Sequence, residues 1–330
     1  MTRLENFRLV VFRAVAEELN FRKAAEHLYL TQPAVSLQIK ALEEDLGVQL
    51  FDRTGNSITL TAAGRVLLGF ASQSGELLLA AEQEIAALHG VHAGNLALGA
   101  STTIAQYVLP GLLSGFRKLH PRVHPTLVSG NTEKIVEAVE KHTVALGLIE
   151  GPARNRHVKT EPFLQDELVP IVAASHPWAA RDPISCAELG AAPLLMRERG
   201  SGSRRVVEMA LERQGLKRSA LKIAMELDST ETIKSAVEAG LGIGFVSRCA
   251  LVQDLRMGQG FNIVRVESLR ILREFLVVQP AGPAPHGLAI EFRRFLCTQT
   301  ARNPRSGRKP AQGAALSGAA SRFPPLAECL

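Results

Sequence analysis

Three short runs of hydroxyl, amide and small residues mark places where this sequence could bind a small anion. They are Ala100-Ser101-Thr102-Thr103, Ser129-Gly130-Asn131-Thr132 and Arg197-Glu198-Arg199-Gly200-Ser201-Gly202-Ser203-Arg204. Each falls where a strand signal ends and a helix signal begins. At such a junction the first backbone N–H groups of the helix are free and its dipole is positive, which favours an oxyanion. Arg197 or Arg204 would add charge at the third run. Any one junction reads equally well as a helix cap, with Ser101, Asn131 or Ser203 in that role. Three converging in one cleft favour binding. The expected effector contacts are Ser101, Thr102, Thr103, Asn131, Thr132, Arg197, Ser201 and Ser203.

A second constellation lies near the N-terminus. Thr31 is placed to cap a helix with Pro33 in its first turn, and Val35, Ile39, Leu42 and Leu46 form its inward stripe. At about 100° per residue, Pro33, Ser36, Leu37 and Lys40 point away from that stripe, and Gln32 sits at the exposed end. Short hydrogen-bonding side chains at the start of a third helix suit base edges in a major groove. The run Leu50–Leu60 then holds two strand signals around Gly55-Asn56, a wing on which Arg53 is placed to meet the DNA backbone or minor groove. The acidic Glu43-Glu44-Asp45 run lies at the far end of the helix, beyond the groove contact.

Other chemistries find no footing. The four cysteines (186, 249, 297 and 329) include no Cys-x-x-Cys pair, and the nine histidines no His-Glu-x-x-His, so no metal site and no disulfide framework are expected. Gly240-Leu-Gly242-Ile-Gly244 follows a helix and precedes a strand, the reverse of a nucleotide-binding loop. Gly200-Ser-Gly-Ser203 is not a nucleophile elbow. No catalytic residues and no cofactor are expected, and the chain reads as a non-enzyme.

The elements that must position these residues follow from periodicity. Residues 1–60 read as three short helices and a wing. The first helix, from about Leu4 to Glu18, turns Leu4, Phe7, Val11, Ala14 and Val15 inward, and Gly47 ends the third as a left-handed cap. Residues 61–92 read as one long helix capped by Thr61, plus a hinge. Its apolar positions Val66, Leu67, Phe70, Leu77, Leu78, Ala81, Ile85 and Leu88 make a seam longer than a 60-residue domain can cover. Pairing with a second copy through residues 61–90 is the expected use, with packing on the chain's own C-terminal half as the alternative. Residues 93–297 alternate strand and helix signals, a βαβ rhythm that argues parallel sheets. Two lobes are expected, lobe I at about 93–163 and 268–297 and lobe II at about 164–267. Crossover strands near Glu161–Glu167 and Ile263–Glu267 would join them. Residues 298–330, rich in Ala, Gly, Ser, Pro and Arg, have almost nothing to bury and are expected to be disordered. The fold class is therefore α+β multidomain.

Several segments together resemble the LysR-type transcriptional regulators: Phe21–Leu28, Thr31–Glu43, Leu46–Arg53 and Leu60-Thr-Ala-Ala-Gly64. The resemblance extends to about residue 297. It implies a winged helix-turn-helix, a dimerisation helix and a periplasmic-binding-protein-like effector domain. Carried onto this chain, it implicates Gln32, Pro33, Ser36, Leu37 and Arg53 in DNA contact, beside Thr31 and Lys40 from the helix-face reading. Many members carry Arg where this chain has Leu37, and an apolar side chain there would favour a thymine methyl over a guanine edge. The junctions at 101–103 and 129–132 further resemble the subset linked to sulfur and carbon assimilation. That makes Ser101 and Thr103 the leading ligand contacts, and a sulfur oxyanion or small carboxylate the leading effector.

Charge does not carry the DNA reading. Residues 1–60 hold seven Lys/Arg against eight Asp/Glu, while residues 298–330 hold five against one. Any phosphate contact must come from placement rather than net charge. With no apolar run of membrane length and no signal-peptide pattern, a cytoplasmic location is expected. The expected partners are double-stranded DNA, a small-molecule effector and a second copy of the chain. Assembly to a tetramer is expected, RNA polymerase is a further candidate, and no membrane partner is foreseen.

Overall fold

The computed structural model describes residues 4–53, 58–88, 92–153, 155–181, 183–257, 260–282 and 286–301. Helices α1 (Phe7–Glu18), α2 (Phe21–Leu28) and α3 (Gln32–Leu46) pack with the strands β1 (Phe51–Asp52) and β2 (Thr59–Leu60). Phe12, Val15, Ala24, Val35, Ile39, Leu50 and Phe51 fill their shared core. The helix ends are set locally. Asn20 accepts from the N–H groups of Arg22 and Lys23, Thr31 caps α3 at Ala34, and Gly47 takes the left-handed conformation at φ +67°. β1 and β2 pair antiparallel, Phe51 opposite Leu60. The predicted Gly55-Asn56 turn between them lies outside the described residues.

The helix stripes differ from expectation in three places. Leu4, Phe7 and Leu46 are exposed, whereas Glu43 is buried. α1 is covered on two sides, by α2 and α3 and also by the long helix α4 (Ala62–Leu88), so Val10, Phe12 and Ala16 are buried alongside Val11 and Val15. α4 passes so close that a Cβ on Gly75 would lie 2.0 Å from Arg13 Nη1. Thr61 caps α4, accepting from the Gly64 N–H at 3.0 Å and donating to the Gln49 carbonyl at 2.8 Å. Only glycine fits at 64, where a Cβ would meet the Leu50 carbonyl oxygen at 2.2 Å.

The last turns of α4 do touch the chain's own C-terminal half, but through polar groups. Gln83 and Glu84 accept from the Leu288 and Gly287 N–H groups, the free donors that open α11 (Gly287–Ala301), and Glu76 meets His142 at 2.9 Å. The apolar stripe on another face stays open: Val66, Phe70, Leu77 and Ile85 are each more than half exposed.

The C-terminal half is built on a sheet of nine strands among the described residues. Its order is β4 (Arg122–Gly130), β3 (Ala93–Ser101), β5 (Leu146–Glu150), β11 (Ile271–Pro280), β6 (Val158–Ala173), β9 (Ile243–Ser247), β7 (Leu194–Arg197) and β8 (Ile223–Leu227), with β10 (Phe261–Ile263) beside β6. β3, β4 and β5 are parallel neighbours, as are β7, β8 and β9, so each lobe keeps its own parallel set. In lobe I, α5 (Leu109–Leu119) and α11 cover one sheet face over Leu98, Phe116, Phe275 and Phe292, and α6 (Thr132–Glu140) covers the other over Ile135 and Val278. In lobe II, α7 (Cys186–Ala191) and α8 (Gly202–Arg213) pack over Leu168, Met196 and Phe245. α9 (Thr230–Glu238) packs over Ile171 and Val246 on the opposite face, and α10 (Val252–Met257) follows β9.

β6 and β11 run antiparallel from Ile271 opposite Leu168 to Pro280 opposite Val158, and pass together from one lobe to the other. The first crossover therefore lies where it was expected, inside β6. The second does not. Val264 and Val266 are packed into lobe II, and the chain returns instead along the start of β11. The physical reason is pairing: β10 is a short antiparallel partner of the lobe II end of β6, so residues 263–267 stay with that lobe. Two other boundaries shift. The expected helix 104–119 begins as a single wide turn at Ile104–Val108, because Pro110 has no N–H with which to continue an α-helical ladder. α11 runs to Ala301, into the stretch assigned to the tail, whose remaining residues 302–330 lie outside the described residues.

Candidate functional site

At the N-terminal end of α3, Thr31, Gln32, Pro33, Leu37 and Lys40 are exposed and Ser36 is half-buried, on the face opposite Val35 and Ile39. Leu37, at 64% exposure, is an apolar side chain offered to solvent between two polar neighbours, as a contact to a thymine methyl would require. Lys40 lies 3.7 Å from Glu44, an exposed i,i+4 pair.

Arg53 is not simply a free wing cation. Its guanidinium lies 4.6 Å from the centroid of the Phe21 ring and 3.7 Å from the Glu43 carboxylate. Glu43 in turn accepts from the Leu50 and Phe51 N–H groups at 2.8 and 3.3 Å. This buried carboxylate therefore pins the start of the wing to α3. Sequence reading set Glu43 aside as part of an acidic run, yet the signal was present: it lies four residues after Ile39, on the inward stripe.

In the C-terminal half, the three predicted junctions do meet across the lobes. Arg197 Nη2 donates to Thr102 Oγ1 at 3.1 Å, and the Thr103 and Thr230 hydroxyls share a hydrogen bond at 3.3 Å. The Gly202 N–H donates to Thr132 Oγ1 at 3.2 Å, and the Glu133 N–H to the Gly200 carbonyl at 3.3 Å. Gly202 is what lets α8 seat against lobe I, since a Cβ there would lie 1.7 Å from the Glu150 carbonyl oxygen. Asn131 and Ser201 prove to be helix caps, accepting from the Lys134 and Arg204 N–H groups. Arg197 is already engaged, with Glu198 at 2.8 Å and the Asp228 carbonyl at 3.0 Å.

The centre of the cleft is a residue that the sequence reading did not select. The Glu150 carboxylate, at the carboxyl end of β5, accepts from Ser101 Oγ at 2.9 Å, the Thr103 N–H at 3.1 Å, Ser203 Oγ and Arg273 Nη1 at 2.8 Å. Arg273 also donates to Ser203 Oγ at 2.7 Å and through Nε to Asp166 at 2.7 Å, where Ser247 Oγ donates as well. Glu150, Asp166 and Arg273 are all buried. Burial alone would push the Glu150 carboxyl up. The Arg273 charge, the hydrogen bonds from Ser203 and Thr103 and the nearby Arg197 outweigh it and hold the group at about 2. Asp166 has fewer donors, and burial keeps it above the usual range despite Arg273 and Ser247. Arg273 Nη2 is buried without a hydrogen-bond partner among the described residues, a spare donor beside the Glu150 cluster. The sequence did carry a faint signal: Glu150 closes the apolar run Leu146–Ile149, and Arg273 interrupts another.

Cys249 contacts Ser247, and burial together with the Asp166 charge pushes its thiol up to about 12. Among the described residues no group of His, Cys, Asp and Glu could hold a metal ion, and no helix is long and apolar enough to cross a membrane. A separate hollow of about 1010 Å³ lies beside α8, lined by Arg199, Arg204, Arg205, Glu208 and Arg218. Glu208 pairs with both Arg204 and Arg218, so two of its cations are offset.

Comparison with known proteins covers both halves. The family model described as a LysR substrate binding domain matches residues 89–300, and one described as a bacterial regulatory helix-turn-helix protein of the lysR family matches residues 7–65. The chain is 37% identical over 272 residues to a "Probable RuBisCO transcriptional regulator" of Cyanidioschyzon merolae, spanning 81% of this chain and 88% of that protein. It is 36% identical over 266 residues to the "HTH-type transcriptional regulator CysL" of Bacillus subtilis, again spanning 81% and 88%. Among solved structures it is similar to the regulatory domain of Synechocystis PCC6803 CcmR in complex with 2-PG, with a TM-score of 0.58. The identity is 29%, over 64% of this chain and 99% of that one.

Proposed function

The chain belongs to the LysR family of DNA-binding transcriptional regulators, and on that premise we propose how its operator, its second copy and its effector are each engaged. Operator bases are read by Gln32, Pro33, Ser36 and Leu37 on the open face of α3, with Thr31 and Lys40 flanking them on the phosphates. Arg53, tied to Glu43 and Phe21, orients the wing and reaches the backbone from that tether. Two copies pair along α4, covering Val66, Phe70, Leu77 and Ile85, and the dimers assemble to a tetramer that works beside RNA polymerase in the cytoplasm. The protein acts as a switch rather than an enzyme.

The effector is a small oxyanion held between the lobes, with Ser101, Thr103 and Ser203 as its main contacts. Thr102, Asn131, Thr132, Arg197 and Ser201 support the cleft walls. One observation supports this reading: donors from both lobes converge on a single buried carboxylate, that of Glu150, as they would on an oxyanion. The 2-PG (2-phosphoglycolate) held by the related CcmR domain makes that anion the first probe, with sulfate and small carboxylates next. Binding of the lobes by one anion would change their relative angle and hence the spacing of the reading heads. The test is the footprint of the full-length protein on its selected operator with and without 2-phosphoglycolate, sulfate and small carboxylates. A shift of the protected region with one of them is expected. An identical footprint with every anion up to millimolar levels would reject an oxyanion effector.

A further inference from the structure

Resting on that reading of the cleft as an oxyanion site, we propose that Glu150 is the site's internal ligand. Its carboxylate occupies the donors of both lobes and holds them together, and an effector anion binds only by displacing it.

The geometry separates this role from that of an ordinary buried ion pair. Glu150 and Arg273 belong to neighbouring antiparallel strands, β5 and β11, and would satisfy one another without help from lobe II. The Glu150 carboxylate instead also takes the Ser203 hydroxyl, which lies in the first turn of α8 on the other lobe, and it draws Ser101 Oγ and the Thr103 N–H from the junction after β3. These are the groups with which such a cleft would hold a carboxylate or phosphate. A second anion cannot share them. It would sit within contact distance of an ionised carboxylate in a buried site, where like charges repel strongly. Displacement also has a receiver in place. Arg273 uses Nε for Asp166 and Nη1 for Glu150, while Nη2 has no hydrogen-bond partner among the described residues. An incoming oxyanion that took Nη1 and Nη2 together would gain the two-pronged contact that Glu150 does not make. The next residue, Gly151, adopts φ +72°, a left-handed conformation that places a permissive link directly after the displaced side chain.

Two measurements on the full-length protein test this. The first is hydrogen exchange at the amides that bond across the lobes, Gly202 N–H to Thr132 and Glu133 N–H to Gly200. Ser203→Ala removes the hydroxyl that donates to Glu150 and accepts from Arg273, and leaves the Glu150–Arg273 pair in place. It should speed exchange at both amides by at least about tenfold while the amides of β5 keep their protection. Unchanged exchange at residues 133 and 202 would overturn the clasp. The second is calorimetric titration of 2-phosphoglycolate and sulfate into wild type and Glu150→Gln, an isosteric change that keeps the shape of the site. Tighter binding in the variant, by at least about tenfold, is expected because the like charge is gone. Equal or weaker binding in the variant than in wild type would overturn displacement. If neither protein binds either anion while Ser203→Ala still opens the cross-lobe amides, the internal ligand stands and the oxyanion effector falls.

Discussion

Replacing Arg273 by Met tests the electrostatic logic of the cleft floor most directly. The guanidinium lies 2.8 Å from Glu150 and 2.7 Å from Asp166, and all three side chains are 1–2% exposed. Methionine keeps much of the volume but leaves two buried carboxylates without the cation that bridges them. Removing one partner of a buried ion pair costs about 3–5 kcal/mol, so a loss of about 4 kcal/mol at pH 8 is expected.

The pH dependence supplies a second, independent signature. In the native protein Glu150 is held at about 2, below its ordinary 4.5, so its contribution is complete above pH 4.5 and is lost as the pH falls towards 2. That shift corresponds to about 3 kcal/mol. Asp166, raised by burial, opposes it in sign: its ionised form is disfavoured in the fold, and that cost grows as the pH rises. Without Arg273, burial dominates at both carboxyls and both are raised. The variant then gains stability relative to wild type on acidification, and the penalty shrinks between pH 8 and pH 5. Urea unfolding followed at Trp178, the chain's one tryptophan, reports on lobe II, against whose core that ring packs. A penalty below about 1 kcal/mol at pH 8, or one that does not change with pH, would refute the reasoning.

Three further outcomes follow from the structure. Glu43→Ala leaves the buried Leu50 and Phe51 N–H groups unpaired and should destabilise the reading head by about 2–4 kcal/mol, with weaker operator binding; a melt matching wild type would remove Glu43 from that role. The pair Phe70→Glu and Leu77→Glu places charge on the open stripe of α4 and should shift the protein to monomers in sedimentation velocity, whereas an unchanged dimer would place the interface elsewhere. Cys249, half-buried and with its thiol pushed up to about 12, should react with iodoacetamide at pH 8 more slowly in the native protein than in urea, as read by peptide mass mapping; equal rates in both states would show that the fold does not protect the thiol.

Local chemistry determined a good part of this protein. Thr31, Gly47 and Thr61 bound their helices because a cap needs only its own neighbours, and Val35 and Ile39 are inward because a helix repeats every 3.6 residues. The same period leaves Ser36, Leu37 and Lys40 on the open face, and the strand-then-helix order of residues 93–297 reads as parallel sheets without knowledge of the tertiary contacts. Contacts between distant parts of the chain decided the rest. Leu4 and Phe7 are exposed because α1 begins only at Phe7, after the Asn6 cap, while α4 covers α1 farther along, and residues 263–267 stay in lobe II because β10 pairs with β6. The three strand-to-helix runs with which the sequence reading began do converge. What they converge on, a glutamate 123 positions from its arginine, was fixed by the pairing of β5 with β11 and the approach of α8. Caps and periods depend on residues within a turn or two of each other. The partner of a buried charge is chosen only when strands far apart in sequence are brought side by side.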